Sequence, residues 1–270
     1  MVMGRVLEAH VGQPDRAFGR ARGRQCQTRC GARGSLPEPT GSGKREQDWL
    51  MGGMHLHAAE FMAIALDARD RAAEARRSDR TVMAADALVS VVMAAAATEA
   101  FINELGAYYE LGDLAREPRE TASGVALAEV ERSRGSTELK YLMASLSLSG
   151  QMFDRSTQPF QDLSTLMKIR NDLMHPRPLD RFEFDDAGVT VSPSYVREFE
   201  RRGMTYRREA GVSVSWLNLL ETEQIASWAC QAAVEIIVAV VEMTPPHGVS
   251  AMIGRSFSEH YRPRAHELAP

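Results

Sequence analysis

The sequence TQPFQDLSTLMKIRNDLMHPRP occupies positions Thr157–Pro178 and contains one complete amphipathic helix. Pro159 suits a first helical position and Pro176 forces a stop, so the pattern predicts a helix of about four turns between them. At 100° per residue, seven apolar side chains fill one broad arc of this helix. They are Phe160, Leu163, Leu166, Met167, Ile169, Leu173 and Met174. A helix of this kind packs one face into a core, which favours a helical bundle.

Three polar residues break the pattern of this helix. Arg170 falls near the middle of the apolar arc, where a charge is costly unless it has a partner. Asn171 and His175 are four positions apart and lie together at the edge of the arc, on the last turn. These residues are therefore the candidates for a functional site.

The composition of the whole chain also favours helices. Of its 270 residues, 44% are hydrophobic, 25% are charged and only 7% are aromatic. Few aromatics, with many Ala, Met and Leu, favour helices over sheets. Apolar periodicity predicts further helices at about 54–77, 81–111, 123–133, 137–148 and 223–243. We therefore predict an all-α fold, a helical bundle of about five helices with a small β-hairpin insertion before the last helix.

The predicted hairpin lies in an insertion at about 181–216. Phe182 and Phe184 alternate with polar residues before the turn sequence Asp185-Asp186-Ala187-Gly188, and Val189 and Val191 alternate after it. The insertion continues through a charged stretch, for which no ordered structure is predicted, to a predicted strand at 212–216.

The sequence divides into three parts. Residues 1–50 carry nine Lys/Arg against five Asp/Glu, leaving the remainder with a formal charge of −8. With no apolar periodicity, they are predicted to be disordered or a non-native N-terminal extension. Residues 51–246 form the predicted helical domain, and 247–270 a flexible tail. The net acidic body argues against broad non-specific binding to nucleic acid, although a local basic site is compatible with it.

The remaining signals exclude several classes of protein. Three cysteines, Cys26, Cys30 and Cys230, make no disulfide framework and fit a reducing compartment. No apolar run is long enough to span a bilayer, so we expect a cytoplasmic protein without membrane contact. Motifs for hydrolases, zinc proteases and dinucleotide binding are missing, and we expect no cofactor and no metal.

The long second helix offers a partner for Arg170. Glu99 and Asn103 lie among its apolar side chains, and a buried glutamate requires a cation. Glu99 is therefore predicted to pair with Arg170. The alternative is that Glu99 faces solvent.

The sequence Arg170-Asn171-Asp172-Leu173-Met174-His175 resembles the motif of the HEPN superfamily. These are helical-bundle proteins whose ribonuclease members carry an Arg, a polar residue and, a few positions later, a His. The same Arg–His spacing recurs at Arg5–His10 and Arg255–His260, in segments predicted to be disordered. Because the spacing alone recurs elsewhere, the resemblance depends on two other features: the motif lies at the end of an amphipathic helix, and the polar position is Asn171.

The resemblance implies a metal-independent endoribonuclease of toxin or defence type, with its cleft at a homodimer interface. It also implies RNA as substrate and an antitoxin or regulatory protein as partner. We expect His175 to be the acid/base, because histidine titrates near neutral pH. Arg170 would stabilise the phosphate and Asn171 would position it. Glu99 and Asn103 would support Arg170.

A second interpretation stays open. Arg170 and Glu99 can form a purely structural pair between two helices, while His175 caps the last carbonyls before Pro176. The protein would then be a non-catalytic helical dimerisation or binding module.

Overall fold

The computed structural model describes most of the chain after its N-terminal extension. The described residues are 57–78, 84–110, 117–175, 181–182, 190–191, 193–206, 215–245 and 254–267. The predicted extension 1–50 lies outside them.

The described residues are mainly helical, in agreement with the predicted all-α class. The helices are α1 (His57–Ser78), α2 (Asp86–Glu110), α3 (Pro118–Arg132), α4 (Thr137–Ser149), α5 (Phe160–Met174), α6 (Ser194–Arg201), α7 (Trp216–Leu219), α8 (Glu223–Met243) and α9 (Arg262–His266). A π-helical segment, Ser256–Tyr261, leads directly into α9. Six of these nine described helices match the predicted helix ranges, and the other three, α6, α7 and α9, are short helices of eight residues or fewer that the apolar pattern did not predict.

Local capping explains where α4 and α8 begin. The Ser136 hydroxyl accepts a hydrogen bond from the Leu139 amide, and Gly150 ends α4 with a φ of +77°. This left-handed conformation favours glycine, so the predicted cap and stop of α4 are both confirmed. Thr222 caps α8 in the same way, through the amide of Ile225.

The core lies around α2 and α8, which pack against each other; α1, α3 and α5 pack on α2. Its largest fully buried side chains include Leu66, Phe101, Tyr109, Tyr141 and Leu163. The Tyr141 hydroxyl donates to the Thr98 carbonyl at 3.0 Å, which satisfies the polar end of a buried ring. This core holds α2 and α5 side by side, and that arrangement positions the candidate site.

Two of the described helices pass a simple test for a membrane span. By length and composition alone, α2 and α8 are long and apolar enough to cross a bilayer. Within the most apolar window of each helix, however, 50% of α2 and 67% of α8 are buried inside the bundle. Because core helices of soluble proteins pass the same test, this is weak support for a membrane location.

The predicted β-hairpin insertion is not supported. Residues Arg181–Phe182 pair antiparallel with Thr190–Val191, but two residues on each side do not make the expected hairpin. Beyond them the chain forms α6, within a charged stretch for which no ordered structure was predicted. Tyr195, Val196 and Phe199 bury one side of α6, which explains why it is ordered. Trp216, predicted to end a strand, instead begins α7.

The prediction of a flexible tail is wrong for residues 254–266. Phe257, Tyr261 and Ala265 are buried, and their four-residue spacing places them on one side of the helical segment. The Tyr261 hydroxyl also donates to the Ala59 carbonyl at 3.0 Å. The segment therefore belongs to the core.

Candidate functional site

The expected contact between α5 and α2 is present. Arg170 Nη2 donates to Glu99 Oε2 at 2.6 Å, and Arg170 Nη1 donates to Asn171 Oδ1 at 3.0 Å. The pair is not deeply buried: the Arg170 side chain is 30% exposed and that of Glu99 is 35% exposed. Because the long side chain of Arg170 extends from the apolar arc to the surface, its guanidinium group remains partly in solvent.

The Arg170 guanidinium group has donors to spare. Arginine carries five N–H donors, and the structure shows two hydrogen bonds from this group to described residues. The Asn171 carboxamide restrains one edge of the group and Glu99 the other. A partly exposed, oriented guanidinium group of this kind is suited to a phosphate oxygen.

His175 lies at the end of α5 and is exposed. Its backbone N–H donates to the Asn171 carbonyl at 2.9 Å, closing the helix. The imidazole ring makes no hydrogen bond to any described residue.

Arg170 and His175 leave the helix in different directions. Five helical positions separate them by about 7.5 Å along the axis and about 140° around it. Arg170 points towards α2, whereas His175 follows Asn171 at the helix end. His175 itself is the C-cap residue that follows α5, with a φ of −125°.

Asn103 does not support Arg170 as expected. Its Oδ1 accepts a hydrogen bond from Lys140 Nζ at 2.6 Å, and the same ammonium group donates to Glu131 Oε2. Asn103 instead forms a second polar contact on α2, one turn beyond Glu99. The sequence reasoning missed Lys140, which is 5% exposed. The signal was available, since Lys140 falls on the apolar face of α4 with Tyr141 and Ala144.

The remaining polar residue of the motif, Asp172, serves packing. Tyr195 Oη on α6 donates to Asp172 Oδ2 at 2.9 Å. Burial, together with this carboxylate, raises the pKa of Tyr195 far above its usual value, so the phenol stays protonated. Lys168 lies 5.6 Å from the centroid of the same ring. This contact joins α6 to the polar side of α5.

Several clefts indent the described surface, and three of them border α2 or α5. One, of about 880 Å³, lies at the N-terminal end of α5 beside α6, and a second, of about 640 Å³, adjoins it beside α8. The third, of about 390 Å³, lies between α2, α3 and α4 and is lined by Asn103 and Lys140. Neither Arg170 nor His175 lines any of these three clefts.

The described residues contain no candidate metal site and no reactive thiol. Within the described ranges, no group of three His, Cys, Asp or Glu side chains could hold an ion. Burial raises the pKa of Cys230 to about 11, despite a contact with the Ser90 hydroxyl at 3.3 Å, so its thiol is not reactive at neutral pH. Cys26 and Cys30 lie outside the described residues.

The second spacing match, Arg255–His260, is part of the C-terminal helical segment and not of a disordered tail. Arg255 and His260 are exposed, and the His260 ring lies edge-on to Tyr261 at 5.0 Å. Unlike Arg170, Arg255 has no hydrogen bond or ion pair to a described residue.

Comparison with family models, with curated proteins and with solved structures gives no match.

Proposed function

We propose that the protein is a HEPN-like, metal-independent endoribonuclease of toxin or defence type, with its cleft at a homodimer interface. The observation that supports this most is the combination of a partly exposed Arg170, oriented by Glu99 and Asn171, with an exposed His175 at the same helix end. RNA as substrate, an antitoxin or regulatory partner and a cytoplasmic location belong to the same proposal.

The reaction assigned to these residues is transfer of the phosphoryl group within the RNA strand, from the 5′-oxygen to the ribose 2′-oxygen. A neutral His175 imidazole removes the proton from a ribose 2′-hydroxyl, and the oxygen attacks the adjacent phosphorus. The bond from phosphorus to the 5′-oxygen breaks, and a protonated imidazole donates a proton to that oxygen. The products are a 2′,3′-cyclic phosphate and a 5′-hydroxyl. Arg170 meets the negative charge that develops on the phosphate oxygens.

A second protomer supplies what a single chain lacks. Because Arg170 and His175 diverge around α5, we assign the His175 of one protomer and the Arg170 of its partner to one phosphate. Met174, beside His175, is 55% exposed and offers apolar surface for such an interface.

A non-catalytic dimerisation or binding module is the second candidate. It is favoured by the short contact between Arg170 and Glu99, which by itself fixes the register of α5 against α2. In that case His175 would only end the helix, and the motif would carry no chemistry.

The experiment that separates these candidates is cleavage of mixed single-stranded RNA by the purified full chain with a metal chelator present. The parent is expected to produce 2′,3′-cyclic phosphate ends, and His175→Ala is expected to lose at least about 100-fold in rate, the usual contribution of a general acid/base.

His260→Ala is the matched control, because Arg255–His260 has the same spacing on another helical segment. It is expected to retain the parental rate. Intact RNA with the folded parent, or equal rates for the parent and His175→Ala, would establish the non-catalytic module instead.

A further inference from the structure

The cleft between α2, α3 and α4 contains an almost fully buried ammonium group. The Lys140 side chain is 6% exposed, and its Nζ donates to both Asn103 Oδ1 and Glu131 Oε2. Burying a charge in this way is costly unless its partners are held in place. The contact therefore places the buried ammonium group between two exposed residues, Asn103 and Glu131, and the Glu131 side chain is 66% exposed.

The lysine determines which way the Asn103 amide faces. An ammonium group can only donate hydrogen bonds, so the amide oxygen must point at Lys140 and the NH₂ group must point away from it. Glu131 likewise gives one carboxylate oxygen to Lys140 and keeps the other. Neither the Asn103 NH₂ group nor Glu131 Oε1 has a hydrogen-bond partner among the described residues. One donor and one acceptor are thus held side by side.

The walls of the cleft suit a flat molecule. Its volume of about 390 Å³ falls within the range of small-molecule sites. Half of the lining residues are apolar or small: Ile102, Gly106, Ala107, Leu127 and Ala128. The other half is polar or charged and includes Glu110 and Arg132 beside Asn103, Glu131 and Lys140. A planar ring can lie against these side chains while its polar edge faces Asn103 and Glu131.

We infer that this cleft binds one base of a single-stranded RNA. Every nucleobase carries a hydrogen-bond acceptor next to a donor on its Watson–Crick edge, which complements the Asn103 NH₂ group and the Glu131 carboxylate. Apolar side chains would contact the ring faces, as in other pockets for extruded bases. Because all four bases have such an edge, the pocket takes any base.

The position of the pocket connects it to the proposed active site, and the inference rests on the proposed function in this respect. Asn103 is one helical turn from Glu99 on α2, where side chains are about 5–6 Å apart. A base held at Asn103 therefore places a neighbouring phosphate within reach of Arg170, the partner of Glu99. Asn103 and Glu131 would contact the base, whereas Lys140 would position both of them.

Binding of mononucleotides to the full chain tests the pocket without any cleavage. Calorimetry with guanosine and uridine 5′-monophosphates is expected to show binding, and ribose 5-phosphate, which lacks the base, is expected to show none. Asn103→Asp keeps the contact with Lys140 but replaces the donor with an acceptor. It is expected to weaken nucleotide binding by at least about tenfold, the cost of one unmatched hydrogen bond.

Gln151→Glu is the matched control, because it makes the same chemical change at an exposed position outside the cleft. Equal binding of ribose 5-phosphate and nucleotide, or unchanged binding by Asn103→Asp, would overturn the pocket. An RNA cleavage assay tests whether the pocket binds RNA as well as free nucleotides. In this assay Asn103→Asp is expected to raise KM for RNA more than it lowers kcat. If nucleotides bind as expected but the parent cleaves no RNA, the pocket stands and the ribonuclease proposal fails.

Discussion

Arg170 Nη2 lies 2.6 Å from Glu99 Oε2, so one ion pair joins two helices whose residues are 71 positions apart in the chain. Both side chains remain about one-third exposed. Solvent therefore screens the pair, and its net contribution to stability is small. The same exposure leaves the Arg170 guanidinium group available to an anion, which a fully buried pair would not allow.

A double-mutant cycle measures how strongly the two residues are coupled. Arg170→Ala, Glu99→Ala and the double variant are expected to give a coupling of about 0.5–1 kcal/mol in urea unfolding. A coupling above about 3 kcal/mol would show a deeply buried structural pair and would favour the non-catalytic module.

Gly124 on α3 is expected to tolerate no side chain. A Cβ at this position would lie 2.8 Å from the backbone carbonyl carbon of Tyr109 on α2. Gly124→Ala should therefore destabilise the fold by about 1–3 kcal/mol, although alanine is the better helix former. Thermal unfolding tests this, with Val125→Ala as control. Val125 is 67% exposed, and its truncation should change stability little. Increased stability of Gly124→Ala would contradict the close packing of α2 and α3.

The C-terminal helical segment should contribute to the core. Phe257 is 1% exposed and contacts the Phe101 ring at 6.0 Å between centroids. Phe257→Ala is expected to cost about 3–5 kcal/mol in the free energy of unfolding. Glu259→Ala, an exposed neighbour, should cost little. If both variants unfold like the parent, the segment does not pack as described.

Acid should weaken the attachment of α9 to α8. Glu235 accepts hydrogen bonds from Arg262 at 2.8 and 2.9 Å and lies 2.7 Å from a His266 ring nitrogen. Burial raises the pKa of this carboxyl, but the contacts with His266 and Arg262 outweigh burial and lower it overall. A carboxyl whose pKa is lowered by folding stabilises the protein above its unfolded pKa of 4.5 and loses this effect as pH falls through the folded value.

The free energy of unfolding of the parent and of Glu235→Gln, measured at several pH values, tests this direction of the pH dependence. The stability difference between them should be largest at neutral pH and should shrink below about pH 4. A difference that grows on acidification would contradict the assigned contacts.

Local sequence signals were sufficient for the long helices. The predicted ranges for α4 and α8 agree with the structure because Ser136, Gly150 and the apolar periodicity of α8 act within a few residues. The contact of Arg170 with Glu99 was also predictable, since each residue interrupts the apolar face of its helix.

The failures concern contacts between distant parts of the chain. Phe257, Tyr261 and Ala265 follow a four-residue spacing, but prolines and charges surround them, and the segment is helical where it packs against α8 and α1. Asn103 was expected to contact Arg170 because the two lie on neighbouring faces. The closer cation, Lys140, comes from α4, whose position beside α2 no local pattern specified.

The central claim is a ribonuclease cleft that combines Arg170 of one protomer with His175 of its partner. Mixing Arg170→Ala with His175→Ala tests it most directly, because each variant alone lacks one member of every cleft. In a mixed dimer one of two clefts has both residues, so an equal mixture should regain about a quarter of the parental cleavage rate. If the parent is active but the mixture is as inactive as its components, the shared cleft is contradicted. If the folded parent leaves RNA intact, the ribonuclease proposal itself is contradicted.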